Sequence, residues 1–332
     1  MPGRRSGGIR RIIRSGPLVI RIFAWFGLWV ATGLLVRGEV RRPEPPHGVE
    51  VYRDLVYRVS GNRKIRLDLY GPQGTAPAGG RPVIVAIHGG GWRGGSKLDM
   101  QGMAVRFAQR GYVIAAVDYR LSRPSYSSWP DNLSDVREAV RWLRRHAKDY
   151  GIDPDRVVAL GSSAGGHLAA LLGTTTESPV NHETYSGTKA ETKVSSRVQA
   201  VVDLYGPSDL EMLYRHSPLG SIPVVLMMGA TPDTAPRRYR SASPVSHVTS
   251  EAPPMLLIHG RQDTLVPPEQ SESLAQKLQA SGVAHRLLVI DGARHGFPLD
   301  LADRDLLPEI VSFLNTVWTG RPDPKKIRRS SH

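Results

Sequence analysis

The chain of 332 residues contains no cysteine. Disulfides, thiolate metal sites and a cysteine nucleophile are thereby excluded. No internal repeat is visible, which sets aside stacked-repeat architectures. Net charge is nearly absent from the middle of the chain, although the whole carries +14. Residues 1–42 carry nine arginines against Glu39, or +8, and residues 320–332 carry +4. About +2 is left for everything between, so the basicity belongs to two tails. The C-terminal run Lys325-Lys326-Ile327-Arg328-Arg329 reads as a solvated tail, and no nucleic-acid partner is expected.

Long apolar runs are scarce as well, with one exception near the N-terminus. Arginines 4, 5, 10, 11 and 14 form a basic tail over 1–16, and residues 22–36 then carry no charge. Counting from Pro17 gives 20 residues, close to the ~20 needed to span a bilayer, with Arg21 able to snorkel. The segment 17–36 reads as a transmembrane anchor or as a signal segment, with Ala31-Thr32-Gly33 as a small-residue cleavage site. More positive charge precedes it than follows it, so the domain that follows is expected outside the cytoplasm, tethered or secreted. A Pro-rich linker follows at 37–48.

What the rest contains is an alternation of strand and helix signals over 49–319. Residues 49–59 and 65–70 read as strands joined by Gly61-Asn62. Residues 83–87, 112–117, 157–160, 198–204, 255–258 and 286–290 are short apolar runs, as strands buried on both faces require. Helical patterns fall at 99–110, 131–150, 268–280 and 306–318, with Asp131 as a cap and Gly151 as a stop. The polar stretch 174–196 reads as a loop. Residues 208–250, with five prolines, read as an irregular cap insertion forming a pocket wall. The fold class is α/β, a mostly parallel sheet with helices on both faces.

Gly161-Ser162-Ser163-Ala164-Gly165 stands between the apolar run 157–160 and a helix-forming stretch from Leu168. Strand, G-x-S-x-G, helix is the context of a nucleophile elbow, which turns Ser163 Oγ outward. In such sheets chemistry gathers at the carboxyl ends of the strands. Asp263 follows the run 255–258, and His295 follows the run 286–290. Serine, carboxylate and imidazole therefore fall at three strand ends in the order Ser…Asp…His. A serine hydroxyl attacks only when a base removes its proton, the role of His295, and Asp263 would hold and stabilise that imidazole. Asp209 is the rival carboxylate. Asp291 is too near His295 in sequence, and Asp118 breaks the chain order.

After the run 83–87 come His88-Gly89-Gly90-Gly91-Trp92. Three glycines let the backbone turn its amides toward the serine, where charge develops on the attacked carbonyl oxygen. Gly90, Gly91 and Ala164 are the expected oxyanion-hole donors, with Trp92 N–H able to replace a glycine, and His88 reads as a brace for the loop.

These motifs, with Asp118-Tyr119-Arg120-Leu121-Ser122 and the segment from His259 to Pro267, resemble the α/β-hydrolase superfamily. Within it the chain is similar to the carboxylesterases related to hormone-sensitive lipase and to the feruloyl and acetyl-xylan esterases. The resemblance covers roughly residues 50–318 and leaves out both terminal segments. It implies an α/β-hydrolase fold with a small cap, the triad Ser163, Asp263 and His295, and hydrolysis of small-molecule carboxylic esters through an acyl-enzyme. No metal or cofactor is implied, and no oligomeric state is specified. Two other expectations stand beside it: an amidase or peptidase using the same triad, and a catalytically silent binding protein of the same fold. Apolar residues of the insertion, among them Leu210, Met212, Leu213, Leu219, Ile222 and those at 224–228, line either an acyl or alcohol site or the core.

Overall fold

Residues 46–175 and 194–319 are described by the computed structural model. The expected anchor or signal segment at 17–36, both basic tails, most of the linker and most of the polar stretch 174–196 lie outside the described residues. Among the described residues, no helix is long and apolar enough to cross a membrane.

Eight strands form one sheet, in the spatial order Val49–Ser60, Arg63–Pro72, Val113–Val117, Arg81–Ile87, Ile152–Ser162, Ala200–Leu204, Met255–Gly260 and His285–Ile290. The first two, β1 (Val49–Ser60) and β2 (Arg63–Pro72), are an antiparallel hairpin, with Gly61 supplying the left-handed residue of the turn. β2 also runs antiparallel to β4 (Val113–Val117). From there β3 (Arg81–Ile87), β5 (Ile152–Ser162), β6 (Ala200–Leu204), β7 (Met255–Gly260) and β8 (His285–Ile290) continue in parallel.

Strand periodicity sorts the apolar side chains to two faces. Along β3, Val83, Val85 and Ile87 join the core packed by α2 (Asp131–Arg145), α3 (Ala164–Thr174) and, beyond the cap, α7 (Glu269–Ala280). Ile84 and Ala86 point into the opposite core, closed by α1 (Gln101–Ala108) and α8 (Leu307–Thr319). Continuous apolar runs in the sequence thus encode strands covered on both sides. Leu168 and Leu171 of α3 are fully buried, each worth roughly 2 kcal/mol on transfer from water.

Three local expectations are corrected. The insertion 208–250 is helical rather than irregular, forming α4 (Leu210–His216), α5 (Pro218–Met228), α6 (Pro236–Ser241) and a 3-10 turn at Pro244–Ser246. Asp209 and Ser217 cap the first two by accepting the amides of Met212 and Gly220, and Pro218 occupies a first-turn position where no amide is needed. Helix α2 stops at Arg145, five residues early, and residues 146–150 are turns before Gly151. Asp131 is its first residue rather than its cap, and its carboxylate instead takes Tyr126 Oη–H at 2.6 Å and Arg120 at 2.8 Å.

The cap helices lie over the carboxyl ends of the parallel strands. Pro223 of α5 faces Gly91, and Ser217 donates to the carbonyl of Leu265 at 2.8 Å. Of the insertion's apolar residues, Leu210, Leu213, Val224, Met227 and Met228 are core, whereas Leu219 and Ile222 are exposed.

Candidate active site

The elbow is built by close approach. A Cβ on Gly161 would meet Gly165 O at 2.1 Å, and one on Gly165 would meet Ile87 O at 2.0 Å. Only glycine lets β5, the start of α3 and the end of β3 come this near. Between them Ser163 is held at φ 54°, a conformation costly for a side-chain-bearing residue. Its amide donates to Leu204 O at 2.8 Å, and its carbonyl takes the first helical bond of α3, from His167 N–H at 3.0 Å. The hydroxyl is thereby left at the mouth of the sheet.

The loops after β7 and β8 are stitched together. Arg261 N–H donates to Ile290 O and Gln262 N–H to Ala293 O, both at 2.9 Å. This juxtaposition brings Asp263 and His295 together. His295 Nδ1 is 2.6 Å from Asp263 Oδ2, and His295 Nε2 is 2.9 Å from Ser163 Oγ. Oδ1 of Asp263 accepts the amides of Leu265 and Val266 at 3.0 and 2.9 Å. Burial pushes this carboxyl up, but hydrogen bonds from His259 and His295 and from the Val266 amide outweigh it and hold the group down at about 2. It stays ionised wherever the protein is folded at ordinary pH.

The other carboxylates go elsewhere. Asp209 is the cap of α4, Asp291 pairs with Arg261 at the surface, and Asp118 accepts the amide of Lys97 at 2.8 Å.

The glycine loop passes directly over the elbow. A Cβ on Gly89 would lie 3.0 Å from Ser162 O and 3.3 Å from Ser163 Cβ. The following residues, Gly90 and Gly91, have positive φ, and Gly90 O accepts the amides of Arg93 and Gly94 to close a turn. Ala164 is the first residue of α3, so its N–H has no intrahelical partner. His88 braces the loop: Nδ1–H donates to Gly89 O at 2.7 Å, its ring stacks on Tyr119 at 4.3 Å, and Tyr119 Oη–H donates to His88 O. Burial pushes the His88 imidazole below its usual value.

Sequence reasoning passed over four residues around this site. Tyr205, at φ 45°, packs its ring 5.1 Å from that of His295 and donates to Phe297 O at 3.2 Å. His259 is fully buried, with Nε2 at 2.7 Å from Val266 O and 3.4 Å from Asp263 Oδ2, and Nδ1 at 2.7 Å from Ser271 Oγ. Its place four residues before Asp263 was the available signal. His167, four residues after Ser163, is also fully buried between Trp92 and Ala242. Asp203, fully buried beneath the start of α3, accepts Gly206 N–H at 2.8 Å with one oxygen and has no partner for the other among the described residues. Burial pushes its carboxyl up to about 6, with His259 and the Gly206 amide offsetting only part.

An ionised carboxylate, an imidazole and a hydroxyl in series can move a proton off the hydroxyl as it attacks. Comparison with known proteins finds likeness to ester hydrolases. The BD-FAE family model matches residues 67–278. The chain is 32% identical over 251 residues to the probable carboxylic ester hydrolase LipM of Mycobacterium tuberculosis, covering 73% of this chain and 56% of LipM. It is 36% identical over 256 residues to esterase LipC of the same organism, covering 74% and 60%. The chain therefore spans less than two thirds of the length of these two relatives. Among solved structures, the propionate-bound thermophilic esterase Est2 of Thermogutta terrifontis is 31% identical at a TM-score of 0.63, over 82% of this chain and 93% of that one. A truncated carbohydrate esterase from gut microbiota is 25% identical at a TM-score of 0.67, over 81% and 96%.

Proposed function

The chain belongs to the BD-FAE family of α/β-hydrolases, and from that premise we propose that it is a serine carboxylesterase working through an acyl-enzyme. The observation that carries the reading is the 2.9 Å contact of His295 Nε2 with Ser163 Oγ, backed by Asp263 at 2.6 Å. In this reading Ser163 attacks the ester carbonyl as His295 Nε2 takes its proton. The oxyanion that forms is met by the amides of Gly90, Gly91 and Ala164, donors typically worth ~3–4 kcal/mol each in the transition state. His295 then protonates the departing alkoxide, and water repeats the sequence on the acyl-enzyme, returning Ser163 and releasing the acid. Asp263 stays ionised and stabilises the imidazolium.

The named relatives support ester substrates, and the propionate held by the Thermogutta esterase makes short acyl groups the first to try. Placement of the catalytic domain outside the cytoplasm belongs to the same proposal and rests on residues 1–36 of the sequence. The test is turnover of p-nitrophenyl acetate and labelling by a fluorophosphonate probe. Wild type should do both and Ser163→Ala neither; labelling undiminished in the variant would remove the enzyme reading.

A further inference from the structure

We propose that His167 is a positioning residue for the oxyanion hole: its neutral imidazole pins the Trp92 indole, and with it the glycine loop, to the helix that carries Ser163. The proposal rests on the esterase reading above and extends it to a side chain that touches no reacting atom.

His167 is tied to the nucleophile through the backbone, donating its amide to Ser163 O. Its ring is fully buried, yet both nitrogens are partnered. Trp92 Nε1–H donates to Nδ1 at 3.2 Å, and Nε2–H donates to Ala242 O at 2.6 Å. An indole N–H can only donate and a carbonyl can only accept, so these partners fix one neutral tautomer. Burial supports that assignment, pushing the imidazole down to about 4. Its remaining aromatic neighbours are Trp92, edge-on with ring centroids at 5.1 Å, and Trp129 at 6.5 Å, and neither brings charge to the ring. With no carboxylate bonded to it among the described residues, the ring is a fastener and not part of a proton relay.

What it fastens is under strain. Trp92 follows Gly91 directly and sits at φ 55°, a conformation that is costly for a bulky residue and persists only when its surroundings hold it. Two hydrogen bonds do so: Ser122 N–H to Trp92 O at 2.7 Å, and the indole to His167. The indole is almost wholly buried, and without His167 its N–H would be a buried donor with nothing to meet. Ala242, just past α6, ties the cap into the same ring. One imidazole therefore sets nucleophile helix, oxyanion loop and cap against each other. Oxyanion donors act only within about 2.7–3.1 Å of where the charge develops, so a small drift of the loop is felt in the transition state and hardly in substrate binding.

The test compares three variants. His167→Gln keeps an acceptor and a donor, His167→Phe keeps an aromatic ring without either, and Trp92→Phe removes the indole donor. Each is assayed for kcat and KM on p-nitrophenyl acetate and for inhibition by a trifluoromethyl ketone, whose serine adduct places an oxyanion among the same amides. His167→Phe and Trp92→Phe should each lower kcat about 30-fold or more with KM within about threefold, and weaken the ketone by a similar factor. The double variant should be little worse than either single one, and His167→Gln should recover most of the loss. Should His167→Phe fail to fold, Trp92→Phe and His167→Gln carry the comparison. Unchanged kcat in Trp92→Phe, or equal losses in His167→Gln and His167→Phe, would overturn the proposal. Ser163→Ala measured alongside separates the two claims: a dead Ser163→Ala with an intact Trp92→Phe sinks only the positioning role, whereas an active Ser163→Ala sinks the esterase reading.

Discussion

One carboxylate oxygen of Asp263 lies 2.6 Å from Nδ1 of His295, while the other takes two backbone amides of its own loop. The carboxylate is thus held from below and aims its second oxygen at the ring. Asp209 is engaged quite differently, capping α4 through Met212 N–H. Asp263→Asn should therefore lower kcat on p-nitrophenyl acetate by about 10³- to 10⁴-fold, since the amide favours the wrong imidazole tautomer. Asp209→Asn should stay within about threefold of wild type, because asparagine caps a helix as well as aspartate. Equal losses in the two variants would mean that the carboxylate has been misassigned.

Tyr205 supports the same imidazole from the side. Its ring stands edge-on to His295 and to Phe297, and its hydroxyl donates to Phe297 O, two residues past the histidine. Tyr205→Phe should keep the ring contact, cost about 1 kcal/mol of stability, and change kcat by less than about threefold. Tyr205→Ala should open a cavity beside the histidine loop, cost roughly 3–5 kcal/mol, and lower kcat by more than tenfold. Stopped-flow turnover with parallel urea melts distinguishes the cases; a fully active Tyr205→Ala would show that the ring does not steady the base.

The frame of this site was legible because each strand end announces itself. Apolar runs of about five residues break into Gly89-Gly90-Gly91, Gly161, Gly260 or Gly292, and close approach explains Gly161 and Gly165 atom by atom. The cap was not legible as helix. Helix α5 carries apolar residues nearly all round and holds Pro223 inside it, so it shows no amphipathic period. Its signal is Ser217-Pro218, a cap followed by a first-turn proline, set in a stretch whose five prolines read as irregular chain. His167, Tyr205 and His259 were passed over for another reason. Their partners, the Trp92 indole and the carbonyls of Phe297 and Val266, are set by tertiary placement, of which spacing along the chain gives only the hint that His259 stands four residues before Asp263.

Two fully buried titratable groups near the elbow bend the stability profile in opposite directions. Asp203 is raised from 3.8 to about 6, so its contribution is fully present below about pH 4 and is lost as pH rises through 6. His167 is lowered from 6.5 to about 4, so its contribution is present above pH 6.5 and is lost as pH falls toward 4. Each swing is on the order of 3 kcal/mol. Relative to wild type, Asp203→Asn should gain stability steadily between pH 4 and 6. His167→Gln should gain it as pH drops from 6.5 to 4. Thermal melts in a pH series would show this as two difference curves of opposite slope, and parallel curves would refute the assignment.

The same chemical change, glycine to alanine, should have opposite outcomes at two places. On Gly165 the added methyl carbon would sit 2.0 Å from Ile87 O and 2.6 Å from His88 O, both backbone atoms where β3 passes into the glycine loop. Neither can step aside without moving β3 or the elbow. Gly165→Ala should therefore express as insoluble or unfolded protein. On Gly102, an exposed residue of α1, the methyl would meet nothing within 4 Å. There alanine limits the freedom of the unfolded chain and favours helix, a gain of up to about 1 kcal/mol, reduced by the position in the first turn. Activity should be unchanged, because α1 packs on the sheet face opposite α3. A folded, active Gly165→Ala would mean that strand and helix are not pressed together beneath Ser163, and the outward aim of its hydroxyl would then need another cause.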